Sequence, residues 1–164
     1  MVPSCATRCA FVPVLLICAA LTGCSVYRAP TIAVAGAEVI ETTDEAMAIR
    51  FALDLTNLND EALELLQFDY GLSVDGRRVY SGRRAAEATL RAGGEKRLFV
   101  PAVLRYDLMG WETGAQPPDI GYKLSGSLLY VTPGEIAEIL LDTGVRKPRV
   151  RFSSAGRIAL REPD

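Results

Sequence analysis

Side chains that commonly perform catalysis are scarce in this 164-residue chain. It contains no histidine, which excludes a Ser-His-Asp triad and a histidine metal site. Carboxylates remain for acid–base chemistry: Asp60, Glu61 and Glu64 lie around one turn, and Glu135 and Glu138 stand three residues apart. We interpret them as solvated charges, since charged side chains on turns and helix faces are normally exposed. The sequence therefore predicts no catalytic residue, no cofactor and no enzyme.

Oxygen-bearing side chains also cluster where the first clear strand ends, at Asp54, Asn57, Asn59 and Asp60. Such groups can bind Ca²⁺, although the spacing of an EF-hand loop is absent. Asn and Asp at the end of a strand more often cap the following turn through hydrogen bonds to the backbone. We expect the capping role and no metal, with calcium binding as the alternative.

Two arginine pairs, Arg77-Arg78 and Arg83-Arg84, flank a short run with strand character. Their guanidinium groups could contact anionic lipid headgroups or acidic glycans. Charges on the outer side of an edge strand also discourage pairing with another molecule. We favour protection of an edge strand, and headgroup contact is the alternative.

Tyr106 and Trp111 are the aromatic candidates for a ligand or partner surface. Trp111 is the only tryptophan and lies in a glycine- and proline-rich stretch, 107–118, that begins beside Tyr106. The pair could line an apolar groove or contact a partner protein. We favour the more common arrangement, in which the tryptophan closes one end of a β-sandwich.

The first residues have the layout of an export signal. Arg8 supplies a positive charge, and an uncharged apolar run, 11–21, follows it. This run is about 11 residues long, too short for a bilayer-spanning helix of about 20. We predict a signal peptide over residues 1–23.

A lipidation motif ends this segment. Leu21-Thr22-Gly23-Cys24 resembles a bacterial lipobox, in which the cysteine sulfur receives a diacylglyceryl group and a signal peptidase cuts just before it. Since Cys5, Cys9 and Cys18 would be removed, Cys24 would be the only cysteine retained. We expect acylated Cys24 to anchor the chain in lipid of the bacterial cell envelope. By resemblance to enterobacterial sorting rules, Ser25 after the cysteine implies the outer membrane, facing the periplasm, over the inner membrane.

The mature chain, 24–164, has the length of one domain. Removal of Arg8 changes the formal net charge from −2 to −3, and no basic stripe is interleaved with aromatic residues, which argues against nucleic acid as a partner. Residues 24–36 are mostly small and include Pro30, so we expect a lipidated N-terminus and tether there. The domain is expected over 37–164.

Apolar and polar residues alternate along much of this domain, as in half-buried β-strands. The clearest run, Ala46–Asn57, places Met47, Ile49, Phe51, Leu53 and Leu55 on one face. A second run does so with Phe68, Tyr70, Leu72 and Val74. Asp75-Gly76 then predicts a hairpin turn into Arg77–Ser81. Further strands are predicted at 88–90, 98–106, 120–131, 145–152 and 157–160.

Helical patterns are rare by comparison. Only 60–67 and 134–141 are candidate amphipathic helices, and 107–118 predicts an irregular crossover or one short helical turn. Pro101 must lie on an edge strand, at a bulge or where its missing donor is not needed. Short strands without βαβ alternation predict an all-β fold, an antiparallel two-sheet sandwich of fibronectin/immunoglobulin-like type with at most one or two short helices.

These motifs also carry a family resemblance. Two successive segments resemble the late embryogenesis abundant group 2 proteins, also called the water stress and hypersensitive response (WHy) domain: Phe51–Asn59 and Leu65–Gly76. In that family an alternating strand ends in Asn-Pro-Asn, and the next strand contains Tyr-x-Leu-x-Val-x-Gly. Ala92–Pro101 resembles the family's turn into a Val-Pro strand, and Ile120–Leu128 its Tyr-x-Leu-x-Gly strand. The resemblance covers about 37–150, and Leu58 stands where the family has proline.

The resemblance implies a fibronectin-like sandwich, an association with desiccation, osmotic or other stress, and no catalytic residues. We expect a non-enzymatic, membrane-anchored lipoprotein that acts as a binding or protective module in the envelope. The alternative is a periplasmic carrier or accessory subunit that binds an apolar ligand or a partner protein between its sheets. A cavity between the sheets would favour that alternative.

Overall fold

A computed structural model describes residues 27–112, 116–132, 142–144 and 148–160. The predicted signal peptide, the lipobox with Cys24, and the candidate helix 134–141 with Glu135 and Glu138 lie outside these residues. The described part contains one short helix and seven strands: β1 (Thr31–Thr42), β2 (Ala46–Thr56), β3 (Leu63–Val74), β4 (Arg77–Leu90), β5 (Glu95–Arg105), α1 (Tyr106–Met109), β6 (Asp119–Val131) and β7 (Arg149–Ala159).

The strands form two antiparallel sheets, which confirms the predicted all-β sandwich. One sheet has the order β1-β2-β5 and the other the order β4-β3-β6-β7. The fourth strand pairs with the third, whereas in an immunoglobulin constant-type sandwich it belongs to the sheet of the first two strands. The topology is therefore the fibronectin-like variant.

Large apolar side chains on the inner faces form the core between the sheets. The predicted inner residues of β2, from Met47 to Leu55, are at most 3% exposed. The predicted inner residues of β3, from Phe68 to Val74, are at most 6% exposed, and Leu124 and Leu128 of β6 are fully buried. Burial of each such side chain contributes about 1.5–3 kcal/mol, so this alternation explains why the strands face as they do.

The predicted hairpin joins β3 to β4. Asp75 and Gly76 both have positive φ, 48° and 78°, as a two-residue type I′ turn requires. The predicted helical turn after β5 is α1, which ends at Gly110 with a φ of 72°. Pro101 lies on β5, an edge strand, as predicted.

Four strands extend into segments that the sequence pattern assigned otherwise. The expected tether over 24–36 is wrong from Thr31 onward, because β1 begins there and pairs along the length of β2. β3 begins at Leu63, so the candidate helix at 60–67 is wrong. β4 is continuous across the expected break after Ser81, and β7 replaces the two short strands predicted at 145–152 and 157–160.

Candidate binding surface

The N-terminal segment is attached to the domain three residues ahead of β1. The Arg28 N–H donates to Oδ1 of Asn59 at 2.8 Å, and Nδ2 of Asn59 donates to the Arg28 carbonyl at 2.7 Å. The Tyr27 ring stacks on Tyr130 with centroids 6.2 Å apart. We call this double hydrogen bond the Asn59–Arg28 clamp. It fixes the start of the described chain to the loop between β2 and β3.

Asn57 organises that loop from within. Its side chain is fully buried, and Nδ2 donates to the carbonyls of Glu61 at 2.7 Å and Arg91 at 3.0 Å. Its Oδ1 accepts from the Asn59 N–H at 3.0 Å. Asn57 thus caps turns of two loops, as predicted, and its oxygen faces Asn59.

Asp54 and Asp60 have separate surroundings in the structure. Asp54 lies on the outer face of β2, where Arg97 Nε donates to it at 2.6 Å, while Asp60 is exposed in the loop. Arg97 also holds the pKa of Asp54 below its ordinary value through that hydrogen bond. Within the described part of the chain, no group of three or more His, Cys, Asp or Glu side chains is placed to hold a metal ion.

Tyr106 and Trp111 close one end of the sandwich. Tyr106 is 2% exposed, and burial raises the pKa of its phenol. Trp111 is partly buried against the core, and its backbone N–H donates to the Tyr106 carbonyl at 3.0 Å. The two ring centroids are 6.2 Å apart. The proposed aromatic surface is wrong for Tyr106, because the core covers that ring.

The four arginines of β4 separate onto two sides of the strand, which is an edge strand as the favoured interpretation required. Arg78 and Arg83 lie opposite Ser73 and Asp69, on the outer face of the sheet. Arg77 and Arg84 lie on the other side, where Arg77 donates to the carbonyl of Leu108 in α1 at 2.7 Å. They do not form one cationic surface.

Arg78 and Arg83 instead border a concavity of about 930 Å³ on the outer face of the β4-β3-β6-β7 sheet. We call it the outer trough. Side chains from all four strands line it, among them Ser81 on β4, Ser125 on β6 and Ser153 on β7. The surface is concave here because several outward positions on adjacent strands carry serine or glycine, whose side chains are small.

Asp69 is the acidic group of the outer trough and connects three strands. It accepts from Arg83 Nε on β4 at 2.7 Å and from an Arg149 guanidinium nitrogen on β7 at 2.6 Å. Gln67 donates to the same carboxylate at 3.1 Å. Hydrogen bonds from Arg149, Arg83 and Gln67 outweigh the effect of burial and lower the pKa of Asp69 to about 2. Asp69 is thus held as a carboxylate that neutralises part of the surrounding positive charge.

The trough remains positive despite Asp69. Its charged lining residues are Arg78, Arg83, Arg151 and Asp69, in a chain whose formal net charge is −2. Within the described ranges, Arg78 and Arg151 form no ion pair. By contrast, the arginines on the outer face of the other sheet are paired with acids, Arg50 with Glu38 and Arg97 with Asp54. Positive charge is therefore concentrated on one face.

Smaller concavities lie elsewhere on the surface of the described residues. One, of about 560 Å³, follows the edge where β1 meets β7 and is lined by an edge strand from each sheet. Another, of about 310 Å³, lies on the outer face of the other sheet. The trough is the concavity that combines free cations with small polar side chains on an outer face.

A sequence model of the late embryogenesis abundant protein family, LEA_2, matches residues 52–156. The chain belongs to this LEA_2 family. The match includes β3, β4, β6 and most of β7, and therefore the strands of the outer trough. No curated protein sequence matches the chain.

Solved structures share the LEA_2 fold at low identity. A protein of Arabidopsis thaliana superimposes with a TM-score of 0.60 at 17% identity, over 85% of this chain and 89% of that one. A candidate late embryogenesis abundant protein gives a TM-score of 0.59 at 19% identity, over 80% and 71%. A protein of Archaeoglobus fulgidus gives 0.52 at 10% identity, over 81% and 98%. These similarities support the sandwich fold alone.

Within the residues described, no helix of this LEA_2 domain is long and apolar enough to cross a membrane. Of the predicted site residues, the structure brings Arg78 and Arg83 together on the trough and separates them from Arg77 and Arg84. Asp69, Arg149, Arg151 and the serines were not predicted. In the sequence, these residues share one feature: each is a small or charged residue at an outward position of a strand. The sequence does not show that they lie close together, because that depends on which strands are neighbours in the sheet.

Proposed function

We propose that this LEA_2 protein is a non-enzymatic bacterial lipoprotein that supports envelope tolerance of desiccation or osmotic stress. The family match supports the protective role, and within the family the motifs quoted above favour the WHy-type domain. The lipobox sequence supports acylation of Cys24. Two or more acyl chains would hold the protein firmly, since a single chain gives only marginal binding.

The observation that carries this proposal is the small number of residues between the lipobox and the point where the folded domain is attached. The Asn59–Arg28 clamp begins four residues after Cys24. Four residues reach at most about 14 Å, so an acylated Cys24 would hold the sandwich close to the headgroups. The domain would then stand on the membrane and not extend away from it on a long tether.

The carrier alternative has less support. An apolar ligand between the sheets would need space that fully buried side chains such as Phe51, Leu72 and Leu124 now fill. The outer trough and the concavity of about 310 Å³ lie on the outer faces of the sheets. A polar partner on an outer face is compatible with the proposed function, and an apolar one in the core is not favoured.

A complementation experiment tests the proposal. Deletion of the gene should lower survival after drying or osmotic shock, and the wild-type gene should restore it. Cys24→Ser should remove the acyl mass detected by mass spectrometry of the membrane fraction and should fail to restore survival. Cys18→Ser, in the predicted signal peptide, is the matched control and should behave as wild type. A wild-type protein without acyl mass would contradict the anchor, and a deletion without a phenotype would contradict the stress role.

A further inference from the structure

The floor of the outer trough consists of small hydroxyl side chains that cross the sheet in register. Ser81 of β4 is opposite Gly71 of β3, which is opposite Ser125 of β6, which is opposite Ser153 of β7. The three serine hydroxyls make no hydrogen bond to another residue in the described ranges. Each can therefore donate one hydrogen bond to a ligand and also accept from it.

Two arginines without ion pairs stand above this floor. The Arg78 guanidinium lies over Gly71, where an added Cβ would be 2.6 Å from its Nη2 atom. Arg151 rises from β7, next to Ser127 on β6. The Arg78 guanidinium thus lies over β3, which is two strand spacings, or about 10 Å, from β7. The two arginines extend into the same trough from opposite edge strands.

This separation indicates what kind of anion would fit. An elongated ligand with spaced acidic groups matches two cations that enter the trough from opposite edge strands better than a single phosphate or carboxylate does. Guanidinium groups bind carboxylates in a bidentate manner, and hydroxyls on the floor suit a ligand that itself carries hydroxyls. We propose that the outer trough binds an acidic oligosaccharide, with Arg78 and Arg151 on its acidic groups and Ser81, Ser125 and Ser153 beneath its hydroxyls.

The proposal does not depend on acylation of Cys24 or on a stress role, because every group it uses lies in the folded domain. Asp69 contributes to the proposed binding site as well. By binding Arg83 and Arg149, the carboxylate of Asp69 leaves Arg78 and Arg151 as the cations available to a ligand. Specificity for an acidic ligand would therefore reside in these two residues.

Calorimetric titration of the purified full chain tests the proposal. Trigalacturonate, which has a carboxylate on every sugar, should bind, and maltotriose, a neutral trisaccharide, should not. Arg78→Gln and Arg151→Gln should each weaken binding of trigalacturonate roughly tenfold, the scale of one lost charge-assisted hydrogen bond. Arg105→Gln removes an exposed arginine from the other sheet and is the matched control, with unchanged affinity expected.

A further variant tests the floor independently of charge. Ser125→Val keeps a residue that favours β-strands but removes the hydroxyl and narrows the trough, so it should also weaken binding. Unchanged thermal unfolding midpoints would show that the variants fold. Absence of trigalacturonate binding, equal binding of maltotriose, or equal losses with Arg105→Gln would each overturn the proposal. Binding of inorganic polyphosphate without trigalacturonate would overturn the sugar assignment.

Discussion

The hydroxyls of Tyr70 and Tyr106 are buried in different environments. Tyr70 OH donates to the Pro101 carbonyl at 2.6 Å and so joins β3 of one sheet to β5 of the other. Burial raises the pKa of Tyr70 far above its ordinary value, which keeps the phenol protonated as a donor. The Tyr106 hydroxyl is buried without a hydrogen-bond partner among the described residues. A buried polar group without a partner destabilises the fold.

The two tyrosines give a matched pair of substitutions. Tyr70→Phe should lower the free energy of unfolding by about 1 kcal/mol, since it removes a hydrogen bond and leaves the Pro101 carbonyl without this donor. Tyr106→Phe should leave that free energy unchanged or raise it, because the hydroxyl it removes stabilises nothing. Urea unfolding followed by circular dichroism measures both. A larger loss with Tyr106→Phe than with Tyr70→Phe would contradict this assignment.

At the residue scale, the sequence predicted roles that depend on local backbone geometry. The capping role of Asn57 and the turn at Asp75-Gly76 follow from side chains that contact or shape the nearby chain. The role of Asp69 could not be predicted in this way. Its partners Arg83 and Arg149 lie 14 and 80 residues away, and only the pairing of strands brings them to one carboxylate.

At the element scale, Asp69 connects the two edge strands of the β4-β3-β6-β7 sheet. Its pKa is lowered to about 2, against about 3.9 in an unfolded chain, so its ion pairs stabilise the fold fully above about pH 4. As the pH falls through about 2, the carboxylate is protonated and this contribution disappears. The difference in unfolding free energy between wild type and Asp69→Asn should therefore shrink between pH 4 and pH 2.

Carboxyl NMR titration separates the two partners of Asp69. Arg149→Gln should raise the pKa of Asp69 toward its ordinary value by more than Arg83→Gln does, because the hydrogen bond from Arg149 lowers it most. An Asp69 pKa near 4 in the wild-type protein would contradict the ion-pair geometry.

Edge strands account for most of the errors in the predicted elements. The alternation of large apolar residues located β2, the C-terminal part of β3, and β6, because their inner faces lie in the core. β1, β4 and β7 are edge strands with smaller or more exposed residues, so their patterns are weak. In β7, packing requires a glycine at one position, because a Cβ at Gly156 would lie 2.9 Å from the Tyr122 ring.

At the scale of the whole molecule, the sandwich has two ends of different character. One end contains the Asn59–Arg28 clamp and the exposed side chain of Leu58, at the tip of the loop between β2 and β3. The opposite end contains α1 and the exposed Leu108. The length of β5 separates these ends by roughly 33 Å. If Cys24 is acylated, the clamp directs the Leu58 end toward the membrane.

Leu58 and Leu108 are therefore matched probes of orientation, since they are 53% and 42% exposed. In vesicles carrying the acylated protein, a fluorophore on Leu58→Cys should be quenched by lipids with a quencher at the headgroup, and one on Leu108→Cys should not. Cys24 itself would not react with the dye, because its sulfur is acylated. Asn59→Ala removes both hydrogen bonds of the clamp, so it should loosen the domain from its anchor and reduce the difference between the two sites. Equal quenching at both sites before that substitution would mean that the clamp does not orient the domain.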